Sequence, residues 1–154
     1  MTGSVPFDEE GVKTSARTVV EKGILQGYFL STYSARKLGM KTTGNAGGSH
    51  HLTLKSKKTP KGGLPALLKE MGTGLLVTEL MGQGVNYVTG DYSRGAFGYW
   101  VENGEIQYPV EEVTIAGNLR DMLMDIQLIG SDTLIRGTKE TGSILLGSMT
   151  VGGK

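Results

Sequence analysis

Cysteine is absent from the 154 residues, which excludes disulfides, thiolate catalysis and any cysteine-containing zinc site, and fits a reducing compartment such as the cytoplasm. Charge of one sign is also missing: sixteen Lys and Arg stand against fifteen Asp and Glu, a formal net charge of +1. No strong field therefore marks nucleic acid or an anionic membrane as a partner. No apolar run approaches the roughly 18 residues of a membrane span, and Met1–Gly11 lacks the basic start and apolar stretch of a signal peptide. The sequence has no Gly-x-Ser-x-Gly elbow, no His-Glu-x-x-His helix and no Walker-type Gly-Lys-Ser/Thr, and Gly82-Gln83-Gly84 is followed by Tyr87 where a dinucleotide loop requires glycine. Serine-hydrolase, zincin and nucleotide-binding readings have no anchor.

What the chain has in abundance is glycine, 25 residues spread along its length. Dispersed glycines argue for many tight turns and bulges, hence a β-rich fold. The length fits one domain, and Lys55–Gly63, with four lysines and no interleaved aromatics, reads as a solvated loop. The runs flanking Glu21-Lys22-Gly23 suggest a bulged hairpin pairing Arg17–Val20 with Ile24–Gly27. Asn103-Gly104 predicts a type I′ turn, and counting outward sets Val101 opposite Ile106, Tyr99 opposite Tyr108, Trp100 opposite Gln107 and Glu102 opposite Glu105. Leu64, Leu67, Leu68 and Met71 share one face of a helix bounded by Pro65 and Gly72. A second helix starts at the N-cap Asn118 and gives way to a strand near Met124. Further strands are expected at His50–Leu54, Gly74–Leu80, Val113–Ala116, Ser143–Leu146 and Met149–Val151. Many short strands with two or three short helices predict a mainly β fold, a curved sheet or barrel-like domain.

Candidate chemistry is sparse. His50 and His51 are adjacent, and on a strand they would point to opposite faces, which makes a shared metal difficult. Glu79, Asp91, Glu111 and Glu112 could form an acid/base pair, but separation and burial, on which such work depends, are not readable from sequence. Two stretches mix glycine with short polar residues: Thr42–Gly48, with Gly44, Asn45, Gly47 and Gly48, and Gly82–Gly95, with Gly82, Gly84, Asp91, Tyr92, Ser93 and Arg94. Either could be a rim whose backbone groups bond an extended peptide or a partner. On composition alone a sharp corner that needs glycine to close is the favoured reading of both.

Thr32–Gly48 (TYSARKLGMKTTGNAGG), Met71–Asn86 (MGTGLLVTELMGQGVN) and Val88–Met122 closely resemble the C-terminal region of the PmbA/TldE proteins, within a likeness running from Phe7 to Gly153. That family has been described as modulators of DNA gyrase, and its activity is proteolysis carried out by TldD together with TldE. Its members are longer than this chain. The resemblance thus implies a C-terminal fragment, residues 1–154, that lacks the N-terminal domain and part of a barrel-like C-terminal domain. In the TldD branch two histidines and a glutamate on an upstream helix, with a cysteine near the C-terminus, form the zinc site. The position here that best matches the cysteine is Thr141, a poor zinc ligand. The resemblance accordingly implies the metal-free TldE branch, with no cofactor in this chain, zinc in a TldD-type partner subunit, a peptide substrate, and self-association of the isolated fragment. A self-sufficient carboxylate hydrolase and a gyrase-associated regulator are the alternatives.

Overall fold

The computed structural model describes residues 5–153; Met1–Ser4, the start of the segment read above for a leader, and Lys154 lie outside them. In chain order the elements are strands β1 (Val20–Glu21) and β2 (Ile24–Leu25), helix α1 (Thr32–Lys37), strand β3 (Leu52–Thr53), helix α2 (Gly63–Met71), strands β4 (Gly74–Met81), β5 (Asp91–Glu102) and β6 (Glu105–Asn118), helix α3 (Leu119–Met124), and strands β7 (Ile126–Ile129), β8 (Leu134–Arg136), β9 (Lys139–Thr141), β10 (Ile144–Leu146) and β11 (Thr150–Gly152). The mainly β character with three short helices agrees with the sequence. The four sheets are open, with orders β1-β2, β10-β7, β11-β6-β5-β4 and β3-β9-β8, so of the two expected forms, curved sheet or barrel-like domain, the closed one is not formed among the described residues. The chain divides into two compact units, residues up to Leu54 with Leu134–Glu140, and Lys55–Thr133 with the remainder.

The first unit is loop-rich and tied by polar groups. Its hairpin β1-β2 pairs Val20 with Leu25 and Glu21 with Ile24. Lys22 and Gly23 both have positive φ, 52° and 79°, so the connection is a two-residue turn of the primed type rather than the expected three-residue bulged one. Helix α1, which periodicity does not announce, starts at a capping box: Ser34 N donates to Ser31 Oγ and Ser31 N to Ser34 Oγ. The buried apolar residues of this unit are Leu30, Ala35 and Ala46, and Asp8 is buried with only 8% exposure.

The second unit is built on the four-stranded antiparallel sheet. Asn103 and Gly104, φ 52° and 77°, make the turn between β5 and β6 as the sequence requires. Val101 faces Ile106 and Glu102 faces Glu105, but a register shift between Trp100 and Val101 then sets Trp100 opposite Tyr108 and Tyr99 opposite Pro109. The expected Trp100–Gln107 and Tyr99–Tyr108 pairs are thus displaced by one residue, because a bulge inserts an extra residue that counting from the turn cannot foresee. Ala96, Val113 and Ile115 form the buried centre, packed by Leu75, Val77, Tyr92, Val110 and Met149. Gly98 lets β4 and β5 approach closely: a Cβ there would lie 1.8 Å from the Leu76 carbonyl oxygen.

Candidate functional site

Gly44, Asn45, Gly47 and Gly48 belong to the first unit, and their polar groups are largely engaged. Leu30 is the centre of one set of bonds: its N–H donates to Thr43 Oγ1 (2.8 Å), and its carbonyl accepts from Thr43 N (3.1 Å). Asn45 Oδ1 accepts from Thr43 Oγ1 and from Arg17 Nη2, which also reaches the Tyr28 carbonyl. Asn45 Nδ2 donates to the Gly48 carbonyl, and the His50 ring bonds the Gly44 carbonyl at 2.9 Å. From the other side Asp8 holds the loop: Oδ2 accepts from Ala46 N, while Oδ1 accepts from Glu10 N and Val12 N. Burial pushes the Asp8 pKa up, but the three backbone donors of Ala46, Val12 and Glu10, with a Coulombic contribution from His50, outweigh it and hold the carboxyl below its ordinary value. Gly44 is buried with φ 66°, and a Cβ on it would meet the Lys13 carbonyl at 2.7 Å. The geometry of this stretch is that of a packed corner.

The Gly82–Gly95 stretch, in the second unit, is not one loop. Strand β5 begins at Asp91, so Asp91, Tyr92, Ser93 and Arg94 are paired with Asn118, Gly117, Ala116 and Ile115 of β6. Their β partners lie too far along the chain for local pattern to reveal. Before them, Ser93 N donates to the Gly84 carbonyl and Asn86 N to the Asp91 carbonyl, and Val85 bridges Tyr92. The segment thus extends the β4-β5 hairpin. A Cβ at Gly84 would sit 1.7 Å from the Ser93 carbonyl oxygen, so only glycine fits this crossing. At the tip, Asn86 Oδ1 accepts from Val88 N and Thr89 N, and Gly90 N donates to the Asn86 carbonyl. Tyr87 and Val88, 87% and 94% exposed, are held out on this turn and were not singled out by the sequence. Thr89 Oγ1 donates to Asp91 Oδ2 (2.6 Å), Asn118 Nδ2 to the Thr89 carbonyl, and Leu119 N to the Gly90 carbonyl. The same Asn118 caps α3 by accepting from Arg120 N, the N-cap that the sequence predicts.

Alternation along β5 splits the four residues at the strand's start. Asp91 and Ser93 are exposed, whereas Tyr92 and Arg94 are half-buried, Tyr92 against the Ala96–Val113–Ile115 centre. The carboxylates considered as an acid/base pair, Glu79, Asp91, Glu111 and Glu112, are distributed over β4, β5 and β6 and all exposed.

The zinc that the resemblance associates with TldD finds no fitting donor set here. Among the described residues no three His, Asp or Glu side chains are placed to hold a metal ion. His50 is committed to the Gly44 carbonyl, His51 Nε2 faces Glu140 Oε2 at 3.4 Å, and Thr141 donates its hydroxyl to the Gly142 carbonyl. His51 Nδ1 is buried without a hydrogen-bond partner. Among the described residues no helix is long and apolar enough to cross a membrane.

Residues 1–153 match the PmbA/TldA metallopeptidase C-terminal domain. The chain is 60% identical over 150 residues to the Metalloprotease PmbA homolog of Haemophilus influenzae, covering 97% of this chain and 33% of that protein. Among solved structures it is similar to the Thermotoga maritima protein described as a modulator of a DNA gyrase (TM-score 0.87, 39% identity, 97% of this chain and 36% of that one). TldE from Thermococcus kodakarensis shares the fold (TM-score 0.79, 23% identity, 97% and 36%). The chain thus spans about a third of the length of its relatives, and it belongs to the PmbA/TldA metallopeptidase C-terminal domain family.

Proposed function

We propose that the chain is the C-terminal domain of the metal-free partner subunit of a TldD/TldE-type peptidase, working in the cytoplasm as scaffold and as peptide or partner surface while a TldD-type subunit holds the zinc. The observation that carries this reading is the donor set. In a chain 60% identical to a protein named a metalloprotease, the two histidines are turned to Gly44 and Glu140, and Thr141, the position that the family resemblance sets against the TldD cysteine, donates its hydroxyl to the Gly142 carbonyl. Hydroxyl and carbonyl oxygens are weak zinc ligands beside thiolate and imidazole. The surface offered to a partner or peptide is the end of the β4-β5 hairpin, Gly82–Arg94, whose backbone is fixed by the Asn86, Asp91 and Asn118 hydrogen bonds. The Gly44–Gly48 corner serves the fold of the first unit.

The test is reconstitution. The protein carrying this domain is assayed on an unfolded peptide, alone, with zinc, and with a TldD-type subunit. Cleavage is expected only with the TldD-type subunit, and dialysed protein should carry far less than one zinc per chain. Turnover by the protein alone, or one tightly held zinc, overturns the proposal.

A further inference from the structure

We propose that Asn103-Gly104 is a latent modification site, a deamidation point held silent by the end of helix α2 and released when the β5-β6 turn parts from it. The proposal is independent of the peptidase reading and uses only contacts inside the second unit. An Asn-Gly pair can cyclise on itself. The Gly104 nitrogen loses its proton to hydroxide and attacks Asn103 Cγ; a C–N bond forms, the bond from Cγ to the side-chain nitrogen breaks, and that nitrogen takes a proton from water and leaves as ammonia. Water then opens the succinimide. Cleavage of the new bond leaves aspartate, and cleavage of the original peptide bond leaves isoaspartate, with the chain running through Cγ.

The fold demands this labile pair. Asn103 and Gly104 take φ of 52° and 77°, and Gly104 lies so close to α2 that a Cβ would come within 2.9 Å of Lys69 Cα and 3.3 Å of the Leu68 carbonyl oxygen. Asparagine tolerates the first condition and glycine alone meets the second. The same packing blocks the reaction. Ring closure needs the Gly104 nitrogen on the Cβ side of the Asn103 Cα–C bond, whereas the ψ of about +30° at the first centre of a type I′ turn sets it nearly opposite. The Gly104 N–H is also committed, donating to the Gly72 carbonyl at 2.7 Å. The Asn103 side chain is exposed, so the group to be attacked is ready and the attacking nitrogen is not. Turning the peptide for attack breaks the Gly72 bond and lifts Gly104 off α2, so reaction proceeds only from a locally opened turn. Isoaspartate then adds a methylene to the main chain, which cannot keep Glu102 opposite Glu105 and Val101 opposite Ile106. An opening that reacts thus leaves a permanent mark.

Peptide mapping by mass spectrometry on this chain, incubated at about pH 9, tests the proposal. Asn103 should deamidate at least about tenfold more slowly in the folded chain than in the urea-unfolded chain. Below the unfolding transition its rate should rise with urea in step with exchange of the Gly104 amide hydrogen. Gly72→Ala, strained at φ 71° so that its carbonyl is displaced, should speed the reaction in folded protein. Equal rates in the folded and unfolded chain overturn the proposal, as does a folded-state rate that ignores Gly104 exchange or a folded Gly72→Ala protein that reacts no faster. Should Gly72→Ala fail to fold, the wild-type urea series decides by itself.

Discussion

Replacing Gly98 with alanine probes the β4-β5 seam on which the hairpin end depends. Gly98 is buried opposite Val77, and a Cβ on it would lie 1.8 Å from the Leu76 carbonyl oxygen and 2.8 Å from its carbonyl carbon. Both obstacles are backbone, so no side-chain rotation relieves them. To reach ordinary contact the strands must separate by about 1.5 Å, which takes their hydrogen bonds out of the roughly 2.7–3.2 Å range. Overpacking of this kind costs about 3 kcal/mol, and at about 2–4 °C per kcal/mol the midpoint of thermal unfolding should fall by roughly 6–12 °C. Two other glycines of the same unit separate this steric cause from a conformational one. Gly82 has φ 74° with nothing within 4 Å of a Cβ, and Gly152 has open space without a left-handed φ. Gly82→Ala should cost about 1–2 kcal/mol through strain alone, and Gly152→Ala should be neutral within about 0.5 kcal/mol. Thermal and urea unfolding followed by circular dichroism rank the three. A Gly98→Ala protein that unfolds together with Gly152→Ala refutes the close-approach argument.

Two further outcomes follow from individual hydrogen bonds. The Asp8 carboxyl has a folded-state pKa below its unfolded value, so its contribution to stability is present above about pH 4 and is lost as pH falls through the depressed folded pKa; urea unfolding across acid pH should show this limb, and Asp8→Asn should be less stable at neutral pH with a shallower acid dependence. Asn118→Ala removes both the α3 cap and the donor to the Thr89 carbonyl, for a loss of about 1–2 kcal/mol; amide exchange at Leu119 and Arg120 should accelerate, and unchanged exchange there counts against the clasp.

Local chemistry made part of this architecture legible. Asn103-Gly104 and Asn118 are recognisable because a positive-φ turn and an N-cap each require particular side chains at particular places. Helix α2 showed through its apolar spacing and the glycine at its end. Helix α1 did not, since six residues give no period and its cap is a Ser31–Ser34 pair without the usual glutamate. Strands β8 and β9 were missed for another reason. β9 lies between β8 and β3, so its pairing reaches back to Leu52 and Thr53, and its own sequence, Lys139-Glu140-Thr141, carries no apolar alternation. The register beyond Val101 failed because a bulge leaves no mark that counting detects. At the site, sequence located the polar glycine-rich stretches but not the difference between them: one is enclosed by Asp8, Arg17 and His50, the other is a hairpin end with Tyr87 and Val88 in solvent.

That Asp91–Arg94 is strand rather than loop changes what a mutation there can report. As a loop, the four side chains would form one surface, and a double substitution of Asp91 and Arg94 would probe it whole. As a strand, they are two surfaces. Asp91 and Ser93 face solvent, while Tyr92 packs against the sheet's buried centre and Arg94 Nε donates to the Met81 carbonyl at 3.4 Å. Asp91→Ala with Ser93→Ala therefore strips the exposed face and loses only the exposed Thr89 Oγ1 bond, a change of about 0–1 kcal/mol. Tyr92→Ala removes core contacts and should cost about 3 kcal/mol or more. If the hairpin end serves the proposed partner or peptide, the exposed-face variant should keep its unfolding midpoint and lose association with a TldD-type subunit or peptide turnover. Full association and turnover by that variant, beside an unstable Tyr92→Ala, would mean that this end of the sheet is architecture alone.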